Sequence, residues 1–270
     1  MAGVLGAAAE RPFRVWVFTA SSLDGPWSGS DAPLASGLSS LGSHVEEGGA
    51  LALTGLPMGA EPGLLDELLP RLRVWGLVSV PGLAIADAAR PERWQARTWA
   101  LEDPGALAAI DPQGADGGFW YYAAKGRAGD PAAAAGPHEI RSSPPPTSRW
   151  SGAGLADPCP VVFHGEQLLF ATTHPDGVVV VAGGAEVARL QGVTVPFARV
   201  DDEGEGALIL LAQAPVGGRR QPVMARSADG RRFSEWRAPL DLGARASCTS
   251  PVLGRLVDGW MLACVEEPSP

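Results

Sequence analysis

Lysine is almost missing from this sequence: Lys125 is the single copy, so nearly all of its 21 basic residues are arginine. The arginines are scattered apart from Arg219-Arg220 and Arg231-Arg232, pairs that flank a predicted hairpin and read as solvated turn charges. With a net charge of −9 the chain lacks the clustered cations that release counterions from phosphates, so no nucleic-acid partner is expected. Long apolar runs are also missing. None reaches the roughly 18 residues needed to cross a bilayer, so no membrane span is expected. The opening MAGVLGAAAERPFR has no basic region and only a short apolar stretch, and is not read as a signal peptide. Secretion or a periplasmic location would require such a signal to have been removed; otherwise the reading is cytoplasmic.

Cysteine is scarce as well. Cys159, Cys248 and Cys264 form no C-x-x-C and no zinc spacing. Cys248 and Cys264 are nearly symmetric about Val257-Asp258-Gly259 and could face each other across a hairpin. They are read as two buried thiols, with a disulfide as the alternative. The four histidines, His44, His138, His164 and His174, show no metal-ligand pairing, and His164 before Gly165 reads as an exposed hairpin tip. There is no G-x-S-x-G, P-loop or dinucleotide fingerprint, so no metal and no cofactor is expected.

Glycine and proline, by contrast, are abundant, at 35 and 25 of 270 residues. Both weaken helix interiors, yet 46% hydrophobic residues suffice for a core, which points to a β protein. Two repeat signals run along it. Tryptophans close a turn after a short strand at Trp27, Trp94, Trp150 and Trp236, spaced 67, 56 and 86 residues apart. The long last interval holds GVVVVAGGAEVARL, Gly177 to Leu190, a copy that has lost its tryptophan. Out of phase with these come five anchors: Glu47-Gly48, Asp103-Pro104, Asp157-Pro158, Val195-Pro196 and Ser250-Pro251. Each anchor opens an apolar strand and is followed by a second one, often introduced by a glycine turn: RVWGLVSV, GGFWYYAA, GEQLLFATT, GALILLAQA and DGWMLACV.

Five units of about four strands predict an all-β, five-bladed β-propeller over residues 1–270 as a single domain. The chain begins with an outer-strand motif and ends with an inner pair. N- and C-terminal strands are therefore expected to share one blade and close the ring, which leaves no open edge. A helical insertion is expected at Gly59 to Leu72, where leucines recur at helical spacing. A loop is expected from Lys125, and a turn at SSPPPTS, Ser142 to Ser148.

The segments DPCPVVFHGEQLLFATT, SADGRRFSEW and SPVLGRLVDGWMLACV resemble the five-bladed glycoside hydrolases of the arabinanase, β-xylosidase and fructosidase type. That resemblance implies a central funnel with three carboxylates projecting from the innermost strands. One protonated carboxyl would act as acid and one carboxylate as base or nucleophile, with a third tuning the acid. Carried onto this sequence by the anchors, the implied catalytic residues are Glu47 as acid, with Asp103 and Asp157 as base and modulator. The order Glu, Asp, Asp departs from the Asp, Asp, Glu of the family, and the last two anchors are Val195 and Ser250. The competing reading is structural, because Asp before Pro caps turns. Trp75, Trp99 and Trp120 are read as core between blades in preference to sugar platforms. The expectation is a glycoside-hydrolase-like propeller acting on or binding a carbohydrate in its funnel. The alternative is a non-catalytic propeller that binds a protein or saccharide. A purely structural protein would instead block the funnel with apolar groups such as Phe197.

Overall fold

The computed structural model describes residues 13–36, 38–45, 51–57, 71–79, 94–100, 119–124, 137–143, 147–201, 206–256 and 259–267. Among them every regular element is a strand: β1 (Arg14–Ala20), β2 (Ser28–Gly29), β3 (Ala35–Ser36), β4 (Leu38–Val45), β5 (Leu51–Pro57), β6 (Arg71–Ser79), β7 (Trp94–Ala100), β8 (Phe119–Ala124), β9 (Pro137–Ser143), β10 (Thr147–Ala153), β11 (Leu155–Phe163), β12 (Glu166–Thr173), β13 (Gly177–Ala182), β14 (Ala185–Gln191), β15 (Thr194–Val200), β16 (Leu208–Val216), β17 (Arg219–Ser227), β18 (Thr249–Leu256) and β19 (Gly259–Glu266). They form five antiparallel sheets: β4-β5-β6-β7, β8-β9-β10, β11-β12-β13-β14, β15-β16-β17, and β18-β19-β1-β2 with β3 also on β1. The last is the shared sheet anticipated from the chain ends. In it β1 pairs with β19 along its whole length, from Arg14 opposite Glu266 to Ala20 opposite Trp260.

Local sequence explains these hairpins. His164-Gly165, Gly183-Gly184 and Gly217-Gly218 are two-residue connections with positive φ at both positions. That is the twist-matching turn geometry, and glycine supplies it at little steric cost. Strands β12, β13 and β16 are apolar on both faces, because sheets lie against both, whereas β14 is largely exposed. In β13, Val178 and Val180 pack with Phe170, Leu208 and Leu210, whereas Val179 and Val181 pack with Ile140, Leu155 and Leu169. In β16, Ile209 and Leu211 face the other way, onto Trp16, Phe18, Val252 and Leu262. Period-two alternation thus sends successive side chains into two different cores. The β8–β10, β11–β14, β15–β17 and shared sheets are stacked in that order. The leading strands abut in succession, β11 on β15 and β15 on β18, and β18 in turn touches β4.

The four tryptophans can be placed in this frame. Trp27 follows β1, Trp94 opens β7, Trp150 lies in β10, and Trp236 precedes an isolated bridge between Arg237 and Met224. The β13–β14 connection, Gly183-Gly184, is the copy without tryptophan.

Four expectations need correction. Cys248 and Cys264 form a disulfide, with Cα atoms 5.3 Å apart, and only Cys159 is a buried free thiol. The two reach bonding distance because the irregular start of β18 brings the chain beside β19. The helical insertion cannot extend to Leu72, since Arg71 and Leu72 begin β6; residues 59–70 lie outside the described residues. RVWGLVSV is the third strand of its sheet, not the second, because GALALTG already supplies β5. The Pro-rich turn is also shorter than read: Ser142 pairs with Thr147, so only residues 144–146, outside the described set, connect β9 to β10.

Candidate functional site

Four of the five sheets share one irregularity in their leading strand. In β11 the register jumps between Ala156 and Cys159, so that Asp157 and Pro158 together oppose a single residue of β12. The same jump bypasses Val195-Pro196 in β15, Ser250-Pro251 in β18 and Ser40-Leu41 in β4. These are β-bulges, and three of them hold a non-glycine residue in the left-handed region: φ is 48° at Asp157, 51° at Val195 and 47° at Ser250. Such a conformation is unfavourable for any residue with a Cβ, and most of all for β-branched valine. The proline that follows each of the three loses nothing by lacking an N–H where the ladder is already interrupted.

The backbone amides released at these bulges are taken up by the preceding sheet. Val195 N donates to Thr172 Oγ1 at 2.8 Å, and Ser250 N donates to Gln213 Oε1 at 3.2 Å. Thr172 and Gln213 occupy matching places, opposite the residue just before each bulge, Ala156 and Thr194. Gln213 is further fixed by its own Nε2 donating to Thr194 Oγ1 at 3.1 Å. The Val195 and Ser250 bulges are therefore each keyed to the preceding sheet by one polar side chain.

Asp157 is the acidic residue at this repeated position. Its backbone is strained and its carboxyl half-buried. Burial pushes the carboxyl above its ordinary value, and a hydrogen bond with Thr172 works the other way. Among the described residues no cation offsets the burial. The other two predicted site residues, Glu47 and Asp103, lie outside the described residues. In the β4 sheet the bulge falls at Ser40-Leu41, so Ser40 stands where Asp157 stands in its own sheet. Sequence reading did not single out Thr172 or Gln213. Their signal was a polar residue ending an otherwise apolar strand, in LLFATT and ILLAQA.

Other candidates resolve into structural roles. In SADGRRFSEW, Asp229 Oδ1 accepts the amides of Arg231 and Arg232 at 2.8 and 2.7 Å. Those backbone bonds hold its carboxyl below the ordinary range, so the motif ties a turn. His138 is buried with Nδ1 2.6 Å from Leu155 O, while His164 and His174 are exposed in turns. Phe197 packs into the core between the β15–β17 sheet and the shared sheet. Arg219, Arg220, Arg231 and Arg232 are exposed. Among the described residues no group of three metal-ligating side chains occurs, and no helix is long and apolar enough to cross a membrane.

No protein-family model matches the sequence, and no curated protein matches it. Solved structures do. An α-L-arabinofuranosidase from Lactobacillus brevis superposes with a TM-score of 0.57 at 12% identity, over 85% of this chain and 83% of that one. An endo-arabinase from Bacteroides thetaiotaomicron gives 0.51 at 14% identity, over 86% and 94%. A thermostable family-43 glycoside hydrolase gives 0.50 at 11%, over 87% and 95%. The chain has the fold of these glycoside hydrolases. The resemblance read from the D-P and S-x-D-G segments therefore holds for the fold, and identity this low extends it no further.

Proposed function

We propose that the five sheets close into a five-bladed ring and that the protein acts on a glycan in the funnel at its centre. The abutting leading strands support the ring, and the arabinofuranosidase and arabinase neighbours support an arabinose-type glycan as the ligand. The observation that carries the reading is Asp157, a half-buried carboxyl on a leading-strand bulge whose surroundings disfavour its charge. A carboxyl of that kind suits proton donation to a leaving glycosidic oxygen, which a second carboxylate must complement as base or nucleophile. The resemblance gave the acid role to Glu47; the surroundings of Asp157 favour it for that role instead, which leaves Asp103 as base and Glu47 as the third, tuning carboxylate in this reading.

A second reading has its own support. Ser40, Val195 and Ser250 at the equivalent bulges carry no carboxylate, which favours a saccharide-binding propeller without turnover.

The test is turnover of an aryl α-L-arabinofuranoside and of arabinan by wild type, Asp157→Asn, Asp103→Asn and Glu47→Gln, alongside binding of arabinan measured by calorimetry. Turnover lost in the folded variants supports the catalytic reading. Binding without turnover supports the second. Neither binding nor turnover overturns both.

A further inference from the structure

The hydroxyls flanking the Val195 and Ser250 bulges are engaged. Thr172 Oγ1 accepts the Val195 amide at 2.8 Å, and Thr194 Oγ1 accepts Gln213 Nε2 at 3.1 Å. Ser247 Oγ accepts the Glu267 amide at 3.0 Å, and Thr249 Oγ1 donates to Val265 O at 3.2 Å. The Ser250 hydroxyl, next in the chain, bonds to none of the described residues, although its backbone is fixed. Its amide is held by Gln213, a buried side chain that is itself held by Thr194. Ser250 is half-buried. A hydroxyl in that position forgoes a hydrogen bond unless water or a ligand supplies one.

Ser250 also matches Asp157 in its place in the fold. Each stands on the leading-strand bulge of its sheet and is followed by proline, with φ of 47° and 48°. A bulge re-aims the residue it carries, and equal bulges in equivalent strands re-aim it in the same way. The strands β11, β15 and β18 abut in succession. Across them the bulge row reads carboxyl, isopropyl and hydroxyl, at Asp157, Val195 and Ser250.

We infer that Ser250 is a glycan-contacting residue, its hydroxyl exchanging a hydrogen bond with a sugar hydroxyl, and that Gln213 is its positioning residue. This rests on the proposed reading that a glycan occupies the funnel and meets Asp157 there. A serine hydroxyl donates once and accepts twice, as a sugar hydroxyl does, so either can take either role. Val195 between the two polar positions offers only apolar surface, which suits the C–H face of a sugar ring. The contact selects by the presence of a hydroxyl on the ligand, and it serves a binding propeller as well as a hydrolytic one.

The test reads binding, not turnover. A sulfur-linked arabinotriose keeps the sugar hydroxyls and resists hydrolysis, so its Kd is measured by calorimetry on the full chain. Ser250→Ala should weaken binding about three- to tenfold, the loss of one hydrogen bond. Ser250→Gly, at home at positive φ, removes the same hydroxyl and should match it where the alanine variant does not fold. Ser250→Thr keeps the hydroxyl and should bind within about twofold of wild type, since Val195 shows that a branched side chain fits this bulge. Thr249→Val removes the neighbouring, engaged hydroxyl and should leave Kd unchanged. Gln213→Leu should weaken binding on its own and add nothing to Ser250→Ala, because positioning acts only through the hydroxyl. Equal Kd values for wild type and a folded variant lacking the Ser250 hydroxyl overturn the inference and leave the proposed function standing. Additive losses in the Gln213→Leu, Ser250→Ala pair overturn the positioning role. If wild type binds neither this ligand nor arabinan, the proposed function fails and the inference falls with it.

Discussion

Replacing Glu266 with alanine should loosen the joint between the first and last strands of the described chain by about 3 kcal/mol, and the structure shows where that figure arises. The Glu266 side chain is 8% exposed and serves three donors. Trp16 Nε1 donates to Oε2 at 2.8 Å, Ala246 N donates to Oε1 at 3.2 Å, and Arg14 Nη2 lies 3.0 Å from Oε2. Hydrogen bonds to a charged acceptor are worth about 1.5–3 kcal/mol each, and an indole N–H left buried without a partner costs about 1–3 kcal/mol. The Arg14 side chain is 37% exposed, so its ion pair is screened and adds under about 1 kcal/mol. The total is smaller than the sum because water reaches the Ala246 amide once the side chain is gone.

Urea unfolding of Glu266→Ala, Trp16→Phe and the double variant separates the pair. Trp16→Phe removes the donor while keeping an aromatic ring under Arg245, which stacks 4.1 Å from the Trp16 ring. The coupling between the two sites should be about 1.5 kcal/mol. A coupling below about 0.5 kcal/mol together with a loss below about 1 kcal/mol for Glu266→Ala would refute the reasoning, because a buried carboxylate with three donors cannot be that dispensable.

Replacing both Cys248 and Cys264 with serine should lower stability by about 3 kcal/mol, since the bridge closes a loop of sequence separation 16; equal urea midpoints with and without the bridge would contradict this. Gly230→Ala should cost about 2–3 kcal/mol by thermal unfolding, because φ there is +70° and an added Cβ would collide with the Leu168 side chain. Asp157 sets a pH dependence whose sign is fixed. Its folded carboxyl lies above its unfolded value, so its favourable contribution is full below the unfolded value and is lost as pH rises through the folded one. Wild-type stability should therefore fall relative to Asp157→Asn as pH is raised through that range, and parallel curves would count against a buried carboxyl.

Much of the fold is legible in the sequence because short segments of like composition mark its turns and strand starts. Tryptophans following a short strand, D-P and S-P before apolar runs, and Gly-Gly between valine-rich and polar segments each report a local requirement: aromatic packing, a bulge, a two-residue turn. What stayed hidden depends on register. Glu47 followed by GGALALTG has the look of an anchor, yet β5 is a second strand and the bulge is at Ser40-Leu41, where neither Pro nor an acidic residue announces it. The disulfide was hidden for a similar reason. Continuing the pairing of Leu256 with Gly259 places Cys248 opposite Glu267, and the extra residue in β18 shifts it one place toward Cys264. Thr172 and Gln213 act across sheets, and no spacing along one strand encodes the neighbour they reach.

Aspartate, valine and serine occupy one backbone geometry at Asp157, Val195 and Ser250, with φ values within a few degrees of each other. The bulge is therefore a property of the architecture, maintained by the following proline and, at Val195 and Ser250, by a side chain from the sheet before. It cannot by itself mark chemistry, because valine at the same place has none. What distinguishes Asp157 is the combination of that geometry with a carboxyl whose charge burial disfavours. A strained position kept for structural reasons in several sheets can carry a carboxyl in any one of them. On this view function varies in this fold by changing the side chain on a fixed bulge. Asp157→Ser and Ser250→Asp exchanges should then leave the fold intact while moving the carboxyl from one sheet to another.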